Sequence, residues 1–367
     1  MRVIIVSPSL DPTKNVSGLS AVTRFIIANN PHHNYVHFEL GRKDIEKGGI
    51  YRVNPIIRKY KDWKCLLKTY PDAIVHYNFP LEKLGITRDT PFMRAVLKNG
   101  NRMIIHIHGG AYLSSESVPF PFRQMLKYVF SWNVPFITLS EMEAEVLRKK
   151  FHAKHVVSLP NCIDLKDTQT FERKYKDDST PLTLGYLGRI AKTKGMDYLL
   201  QACCILKERH IPFCLKLAGV EEIEGQYRPQ FSKVLGNQFV YSGIVSGESK
   251  NSFLRSLDVL AMPTFFEGLP MSLLECMSYG VVPVVTPVGS IPTVVTEGQN
   301  GILIKVKDTQ SIVDAITYLH THRDRLEQMS KSSCNYIYEH FSPESYIDKL
   351  NNIYSICLCY FNSRRST

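Results

Sequence analysis

Long apolar runs are missing from this 367-residue chain, although 44% of its residues are hydrophobic. No run approaches the roughly 20 residues that a helix needs to cross a bilayer, so we expect no membrane span. The apolar stretch Val3–Val6 near the start is only about four residues long and turn-forming residues follow it. We interpret it as part of a first strand and not as a signal peptide.

Three other absences exclude whole classes of protein. The nine cysteines are odd in number and contain no Cys-x-x-Cys pair, which disfavours a disulfide framework or a zinc module and fits a reducing cytoplasm. The Gly-x-Gly-x-x-Gly pattern of nicotinamide and flavin enzymes does not follow the first strand. No run of Lys and Arg and no recognition helix accompanies the positive charge, so nucleic-acid binding is disfavoured.

The net charge of +11 comes from 45 basic and 34 acidic side chains. It fits attraction to an anionic membrane surface or to a phosphate-bearing substrate, and equally a merely solvated basic surface. The densest basic stretch consists of Arg42, Lys43, Lys47, Arg52, Arg58, Lys59, Lys61, Lys64 and Lys68.

The length exceeds what one hydrophobic core usually supports, and short apolar runs alternate with helical segments throughout. We therefore predict two α/β domains with parallel sheets, at residues 1–165 and 182–341. The polar and aperiodic stretch 166–181 is interpreted as a linker. Residues 342–367 form a separate C-terminal segment with one last helix.

Two places in the first half of the chain could bind a ligand. A predicted strand Arg2–Ser7 is followed by a loop with Gly18 and a helix, which together make a general anion site. A second strand, Met103–His108, ends beside two glycines. Ligands of open α/β sheets bind at that carboxyl end, so His108 is a candidate, whereas His106, further back on the same side, is interpreted as structural.

The second half begins with a predicted strand Leu182–Leu187 and the loop Gly-Arg-Ile-Ala-Lys-Thr-Lys-Gly at residues 188–195. Arg189 and Lys194 flank this loop, and a helix starts directly after it. Both cations and the positive end of the helix dipole therefore converge, which predicts a diphosphate site. Lys192 is the less favoured partner.

The stretch Thr264–Gly280 places two carboxylates eight residues apart. Pro270 is predicted at the first helical position and Gly280 as the stop, so Glu267 precedes the helix and Glu275 lies inside it. Each acid by itself also fits an ordinary surface charge. Together they could accept hydrogen bonds from different parts of one polyhydroxylated ligand.

The pair Glu267 and Glu275 resembles the Glu-x7-Glu signature of retaining glycosyltransferases with the GT-B fold, most closely glycosyltransferase family 4. The loop at 188–195 and the segment Pro-Asn-Cys-Ile-Asp at 160–164 are similar to further motifs of that family. Thr293 stands where the family often has an acid. The resemblance implies two Rossmann-like doubly wound domains facing a central cleft, with a C-terminal helix that crosses back to the first domain.

The resemblance also implies an activity. It is the retaining, metal-independent transfer of a hexose from a nucleotide-diphosphate sugar to a glycan or lipid-linked saccharide, in cell-surface polysaccharide biosynthesis. No cofactor and no metal is expected, and the location implied is the cytoplasm, with peripheral contact at the inner face of the plasma membrane. Alternatives are a sugar-nucleotide 2-epimerase of the same fold, a sugar-phosphate synthase or glycogen-type enzyme with a soluble acceptor, and a non-catalytic sugar-nucleotide sensor.

The roles that the resemblance implies fall on eight residues. They are Arg189, Lys194 and Gly18 at the donor diphosphate, Glu275 at the ribose, Glu267, Gly268 and Leu269 at the donor sugar, and His108 with Glu267 as catalytic residues.

Overall fold

The computed structural model describes residues 1–12, 14–15, 17–41, 53–115, 117–175 and 180–362. The chain divides into two compact units. Met1–Asn161 and Pro343–Thr367 form the first unit, and Cys162–Ser342 form the second.

The first unit is built on a six-stranded parallel sheet with the strand order β2-β1-β3-β4-β5-β6. Its strands are β1 (Arg2–Ser7), β2 (Asn34–Glu39), β3 (Ile74–Phe79), β4 (Arg102–Ile107), β5 (Phe136–Thr138) and β6 (Val156–Ser158). Since all strands are parallel, their carboxyl ends meet at one edge of the sheet.

Helices cover both faces of this sheet. They are α1 (Gly18–Asn29), α2 (Val53–Thr69), α3 (Lys83–Asn99), α4 (Ala111–Ser114), α5 (Phe120–Phe130), α6 (Glu141–Phe151) and α13 (Pro343–Asn362). Contacts between successive neighbours place α2, α3, α5 and α6 in one layer. The other face is covered by α1, which contacts β1, and by α13, which contacts both β4 and α1.

Alternation along the strands separates the two faces. Ile4, Val75 and Ile105 belong to the apolar cluster shared with α2, α3, α5 and α6. The next residues along β3 and β4, His76 and His106, point to the opposite face, where they are fully buried.

Helix α13 belongs to the first unit although it follows the second unit in sequence. Its Tyr354 is fully buried and its hydroxyl lies 2.7 Å from Nδ1 of His76. Nearby, the Asn30 amide donates to Oδ1 of Asn351 at 2.8 Å. Polar as well as apolar contacts therefore hold the C-terminal helix on the first sheet.

The second unit has its own six-stranded parallel sheet, in the order β12-β11-β10-β7-β8-β9. Its strands are β7 (Leu182–Leu187), β8 (Phe213–Ala218), β9 (Phe239–Tyr241), β10 (Val259–Met262), β11 (Val282–Val285) and β12 (Ile302–Leu303). Its helices are α7 (Met196–Glu208), α8 (Arg228–Leu235), α9 (Gly247–Arg255), α10 (Met271–Ser278), α11 (Thr309–Thr321) and α12 (Arg323–His340). The two sheets confirm the predicted pair of Rossmann-like α/β folds.

The helix of the Thr264–Gly280 stretch differs from its prediction at one end. Pro270 is extended, with φ −65° and ψ 126°, and caps α10 from outside instead of occupying the first helical position. Its carbonyl accepts from the amide nitrogens of Leu273 and Leu274, so it supplies the first turn with an acceptor. Gly280 follows in the left-handed region with φ 67°, which agrees with its predicted role as the stop.

The segment predicted as a linker is attached to the second unit. Arg173 donates to the carbonyl oxygens of Tyr279 (2.8 Å) and Leu257 (2.6 Å) and is largely buried. Residues 176–179 of this segment, and residues 42–52 of the predicted basic stretch, lie outside the described residues. The basic residues from Arg58 to Lys68 lie on α2.

Candidate functional site

The loop after β7 is held by close packing of main chains. Lys192–Lys194 form one 3₁₀ turn, and Gly195 ends it with φ 77°. A Cβ on Gly195 would lie 2.0 Å from the Pro263 carbonyl oxygen, so only glycine allows this loop to touch the segment after β10. Because β7 and β10 are neighbours, the predicted diphosphate loop and the predicted sugar loop meet at one edge.

Lys194 and Glu267 form an ion pair at this edge. Nζ of Lys194 lies 2.5 Å from Oε1 of Glu267, and the two side chains are only 23% and 18% exposed. The Thr264 hydroxyl donates to the same Oε1 at 3.3 Å. The groups assigned to diphosphate and to sugar are therefore in direct contact, and an incoming anionic ligand would have to share or replace this contact.

Arg189 is exposed at the start of the same loop. Its position is set through the main chain, since the buried Tyr186 hydroxyl donates to the Arg189 carbonyl oxygen at 2.7 Å. Burial raises the pKa of Tyr186 well above its usual value, and the nearby carboxylate of Glu267 raises it further. Tyr186 therefore stays a neutral donor beneath the loop.

The main chain around Gly268 and Leu269 is also fixed. The Ser290 amide donates to the Gly268 carbonyl oxygen at 3.0 Å. Gly289 has φ 57°, and a Cβ there would lie 2.0 Å from the Glu267 carbonyl oxygen. Leu269 is buried, so it could meet a sugar through its main chain and not through its side chain.

Glu275 lies on α10, away from the apolar face formed by Leu273, Leu274 and Met277, all fully buried. Its Oε1 accepts from Nζ of Lys250 on α9 at 2.8 Å. Glu275 is therefore not the isolated solvated acid that its sequence position also allowed. Sequence reasoning missed Lys250, because nothing along the chain connects it to Glu275.

In the first unit, His108 follows β4 at the carboxyl edge of the sheet. Its ring lies 4.0 Å from that of His106, and its Nε2 lies 2.7 Å from Oδ1 of Asn78 at the end of β3. Burial, followed by the neighbouring His76, lowers the pKa of His108 to about 3. The imidazole is therefore neutral at physiological pH.

Asn78 decides which nitrogen of His108 carries the proton. Its Nδ2 donates to the Val6 carbonyl oxygen at 2.9 Å, which can only accept, so its Oδ1 must face His108. The hydrogen-bond network thus assigns the proton to Nε2 and leaves the lone pair on Nδ1. His108 offers an acceptor to a ligand hydroxyl. The sequence analysis did not single out Asn78, although it stands near the end of a strand as His108 does.

His106 differs from His108 in its surroundings. It is fully buried, with Nδ1 3.1 Å from Nε2 of His76, whose Nδ1 in turn meets Tyr354. Burial lowers the pKa of both rings. The pair belongs to the interior beneath α13, which fits the structural interpretation of His106.

Gly18 is the first residue of α1 and is exposed. The turn before it is held by Asn15, whose Oδ1 accepts from the Ser17 amide at 3.0 Å and from the Ser20 hydroxyl at 2.9 Å. Further along α1, the Thr23 hydroxyl lies 3.4 Å from Nδ2 of Asn78. The glycine loop and His108 are thus linked through α1 and Asn78.

Two features are absent from the described residues. No group of three or more His, Cys, Asp and Glu side chains there is arranged to hold a metal ion. In the same part of the chain, no helix combines the length and apolarity needed to cross a membrane.

Residues 167–335, which lie within the second unit, match the family model described as "Glycosyl transferases group 1". The chain is 23% identical over 278 residues to an alpha-D-kanosaminyltransferase of Streptomyces kanamyceticus, covering 70% of each protein. It is also 23% identical over 221 residues to a putative colanic acid biosynthesis glycosyltransferase of Escherichia coli, covering 58% of this chain and 54% of that protein.

Among solved structures, the chain is similar to Anabaena HepE in complex with UDP-glucose. The TM-score is 0.73 at 13% sequence identity, over 97% of this chain and 99% of that one. At this identity the likeness concerns the fold, and it confirms the predicted GT-B type of architecture.

Proposed function

We propose that this protein is a retaining glycosyltransferase of the family 4 type, which transfers a hexose from a nucleotide-diphosphate sugar. The observation that carries the proposal is the contact between Lys194 and Glu267 beside Arg189, at one sheet edge within the region that matches group 1 glycosyltransferases. A basic and an acidic group placed together suit a donor that has a diphosphate at one end and sugar hydroxyls at the other.

In this proposal the two cations stabilise the diphosphate as it leaves. Arg189 and Lys194 donate charge-assisted hydrogen bonds, each contributing roughly 1.5–3 kcal/mol. When the diphosphate engages Lys194, Glu267 is released from the ion pair and accepts from the donor sugar, together with main-chain groups of Gly268 and Leu269. Glu275, positioned by Lys250, accepts from the ribose hydroxyls.

The first unit supplies the acceptor side. Nδ1 of His108 accepts from a sugar or acceptor hydroxyl, and Gly18 permits close approach of main chain to the phosphates. The bond between the anomeric carbon and the phosphate oxygen breaks, and the new bond to the acceptor oxygen forms on the same face. The acceptor proton passes to the leaving diphosphate, so no protein nucleophile is required.

The acceptor and the setting complete the proposal. We take the acceptor to be a glycan or a lipid-linked saccharide in cell-surface polysaccharide biosynthesis, as the name of the E. coli relative suggests for that protein. The reaction is expected to need no metal and no cofactor. The protein would act in the cytoplasm, in peripheral contact with the inner face of the plasma membrane.

The test is sugar-nucleotide binding and hydrolysis over UDP-, GDP-, ADP- and dTDP-sugars, with and without EDTA. We expect one sugar nucleotide to raise the melting temperature of the protein. The same sugar nucleotide should be hydrolysed slowly, with release of its nucleotide, whether or not EDTA is present. Lys194→Met should lower kcat/KM about tenfold to a hundredfold, since it removes a charge-assisted hydrogen bond.

Lys192→Met is the matched control, because Lys192 is an exposed lysine in the same turn. It should change kcat/KM less than about twofold. If no nucleotide stabilises the protein, or if both lysine variants behave alike, the diphosphate site and the function built on it are wrong. Loss of turnover on adding EDTA would contradict metal independence.

A further inference from the structure

Four large apolar side chains of the first unit are exposed at corresponding places. Ile57, Leu84, Phe120 and Met142 are 51%, 77%, 69% and 47% exposed, respectively. Each lies within the first five residues of its helix, on α2, α3, α5 and α6. These helices are successive neighbours in one layer, so the four residues form a row across it, which we call the apolar row.

The apolar row lies towards one edge of the sheet. Helix α3 follows β3, α6 follows β5, and α5 follows β4 after the short α4, whereas residues 42–52 between β2 and α2 lie outside the described residues. A helix that follows a parallel strand starts near the carboxyl end of that strand. The row is therefore near the edge that carries His108 and Gly18.

The surface behind the apolar row is strongly basic. Helices α2, α3 and α5 contain eleven basic residues and two acidic ones, Asp62 and Asp89. Asp89 is buried and paired with Arg88, with its Oδ1 2.5 Å from Nε of that residue, so these two charges cancel. The ten remaining basic residues are Arg58, Lys59, Lys61, Lys64, Lys68, Lys83, Arg94, Lys98, Arg123 and Lys127.

This combination identifies a class of partner. Aliphatic and aromatic side chains that project singly from helix starts can enter the boundary between headgroups and acyl chains, while lysines and arginines beside them attract anionic headgroups. Nucleic acid would use the charge but would leave Ile57, Leu84 and Met142 in water. The balanced charge of α6 marks the margin of the basic surface.

We propose that the outer surface of α2, α3 and α5, with the apolar row along its rim, docks on a membrane containing anionic lipid. This surface would provide the membrane contact of the proposed glycosyltransferase, and the biological purpose of the docking rests on that proposed function. Docking there would bring the acceptor-binding edge of the first unit next to lipid, where a lipid-linked saccharide resides.

The test is co-sedimentation of the full-length protein with vesicles of phosphatidylcholine alone, or of phosphatidylcholine with phosphatidylglycerol, at low and high salt. We expect binding to the anionic vesicles that weakens with salt. The double variants Leu84→Gln/Phe120→Gln and Lys64→Gln/Lys68→Gln should each bind at least about tenfold more weakly.

The controls change the same residue types elsewhere. Ile356→Gln on α13 replaces an exposed apolar residue on the opposite face, and Lys233→Gln on α8 removes an exposed lysine of the second unit. Both should bind like the wild-type protein, and thermal melting checks that every variant is folded.

Two results would overturn the proposal. One is the absence of binding to anionic vesicles, or equal binding by all variants. The other is self-association without vesicles that Leu84→Gln/Phe120→Gln abolishes, which would make the row a protein interface. Because the assay contains no sugar nucleotide, it can fail while donor hydrolysis succeeds, and hydrolysis can fail while vesicle binding stands.

Discussion

The Asn78 amide contacts groups from three segments of the first unit. It donates to the Val6 carbonyl oxygen, lies within reach of the Thr23 hydroxyl, and accepts from Nε2 of His108. Asn78 is almost fully buried, and it thus controls the tautomer of His108, which is partly exposed at the carboxyl edge of the sheet. The lone pair on Nδ1 of His108 depends on this arrangement as much as on His108 itself.

Asn78→Asp is expected to move the acid side of the pH profile of sugar transfer. In the wild-type protein the pKa of His108 is about 3, so the ring is neutral between about pH 5 and 8 and adds no acid limb. A carboxylate beside Nε2 would favour the imidazolium and raise that pKa. Transfer should then decline as the pH falls through the raised value, as measured by kcat/KM against pH.

Asn101→Asp is the matched control for this change. Asn101 is also a buried asparagine of the first unit whose amide donates to carbonyl oxygens, those of Tyr70 and Pro71. It should lower the melting temperature similarly and leave the pH profile in place. If both variants keep the wild-type profile, Asn78 does not act through His108.

At the scale of elements, glycines decide how the loops of the second unit pack. The loop after β7 touches the segment after β10 at Gly195, and the segment after β11 touches the same region at Gly289. Lys194 and Glu267, 73 positions apart in the chain, meet because of these approaches. The ion pair between Lys194 and Glu267 therefore depends on the packing of three loops against one another.

Gly195→Ala is expected to displace the diphosphate loop. The added methyl group would lie 2.0 Å from the Pro263 carbonyl oxygen, at φ 77°. We expect a loss of more than about 3 kcal/mol of unfolding free energy and a weakened nucleotide affinity, since both overlap and backbone strain oppose the native loop. Denaturant unfolding and nucleotide titration would measure the two effects.

Gly100→Ala separates the strain from the overlap. Gly100 is also in the left-handed region, with φ 81° and ψ 9°, but a Cβ there would meet nothing within 4 Å. This substitution should lower the free energy of unfolding by only about 1–2 kcal/mol and leave nucleotide affinity unchanged. Equal losses in the two variants would mean that the contact with Pro263 is unimportant.

At the scale of the whole molecule, the two units differ in their buried histidines. Among the described residues, the fully buried histidines are His76 and His106, both in the first unit beneath α13. Burial lowers the pKa of both, so the native state excludes protons that the unfolded chain binds below about pH 6.5. Their contribution to stability is present above that pH and is lost as the pH falls below it.

We therefore expect acid to destabilise the first unit before the second. Each buried histidine should cost about 1 kcal/mol of unfolding free energy per pH unit below 6.5. Calorimetry between pH 7 and 5 should show a transition that moves with pH, assigned to the first unit by limited proteolysis. His32→Gln, which changes an exposed histidine of the same unit, should not alter this dependence. A second unit that melts first in acid would contradict the expectation.

Much of the architecture could be predicted from the sequence. The strands Arg2–Ser7 and Leu182–Leu187 have their predicted bounds, because each is an apolar run beside turn-forming residues. Strand β2 has no such run: Asn34, His37 and Glu39 interrupt it, and pairing with β1 makes it a strand. The local sequence of β2 therefore does not predict a strand.

Local chemistry thus determined, from the sequence alone, the alternation of strands and helices and the candidate residues at strand ends. Periodicity, glycine and proline act within a few residues, so they can be seen along the chain. The tertiary structure alone decided that Lys194 pairs with Glu267, Lys250 with Glu275, and Asn78 with His108. These contacts join residues 25 to 73 positions apart, and the order of strands within each sheet brings them together.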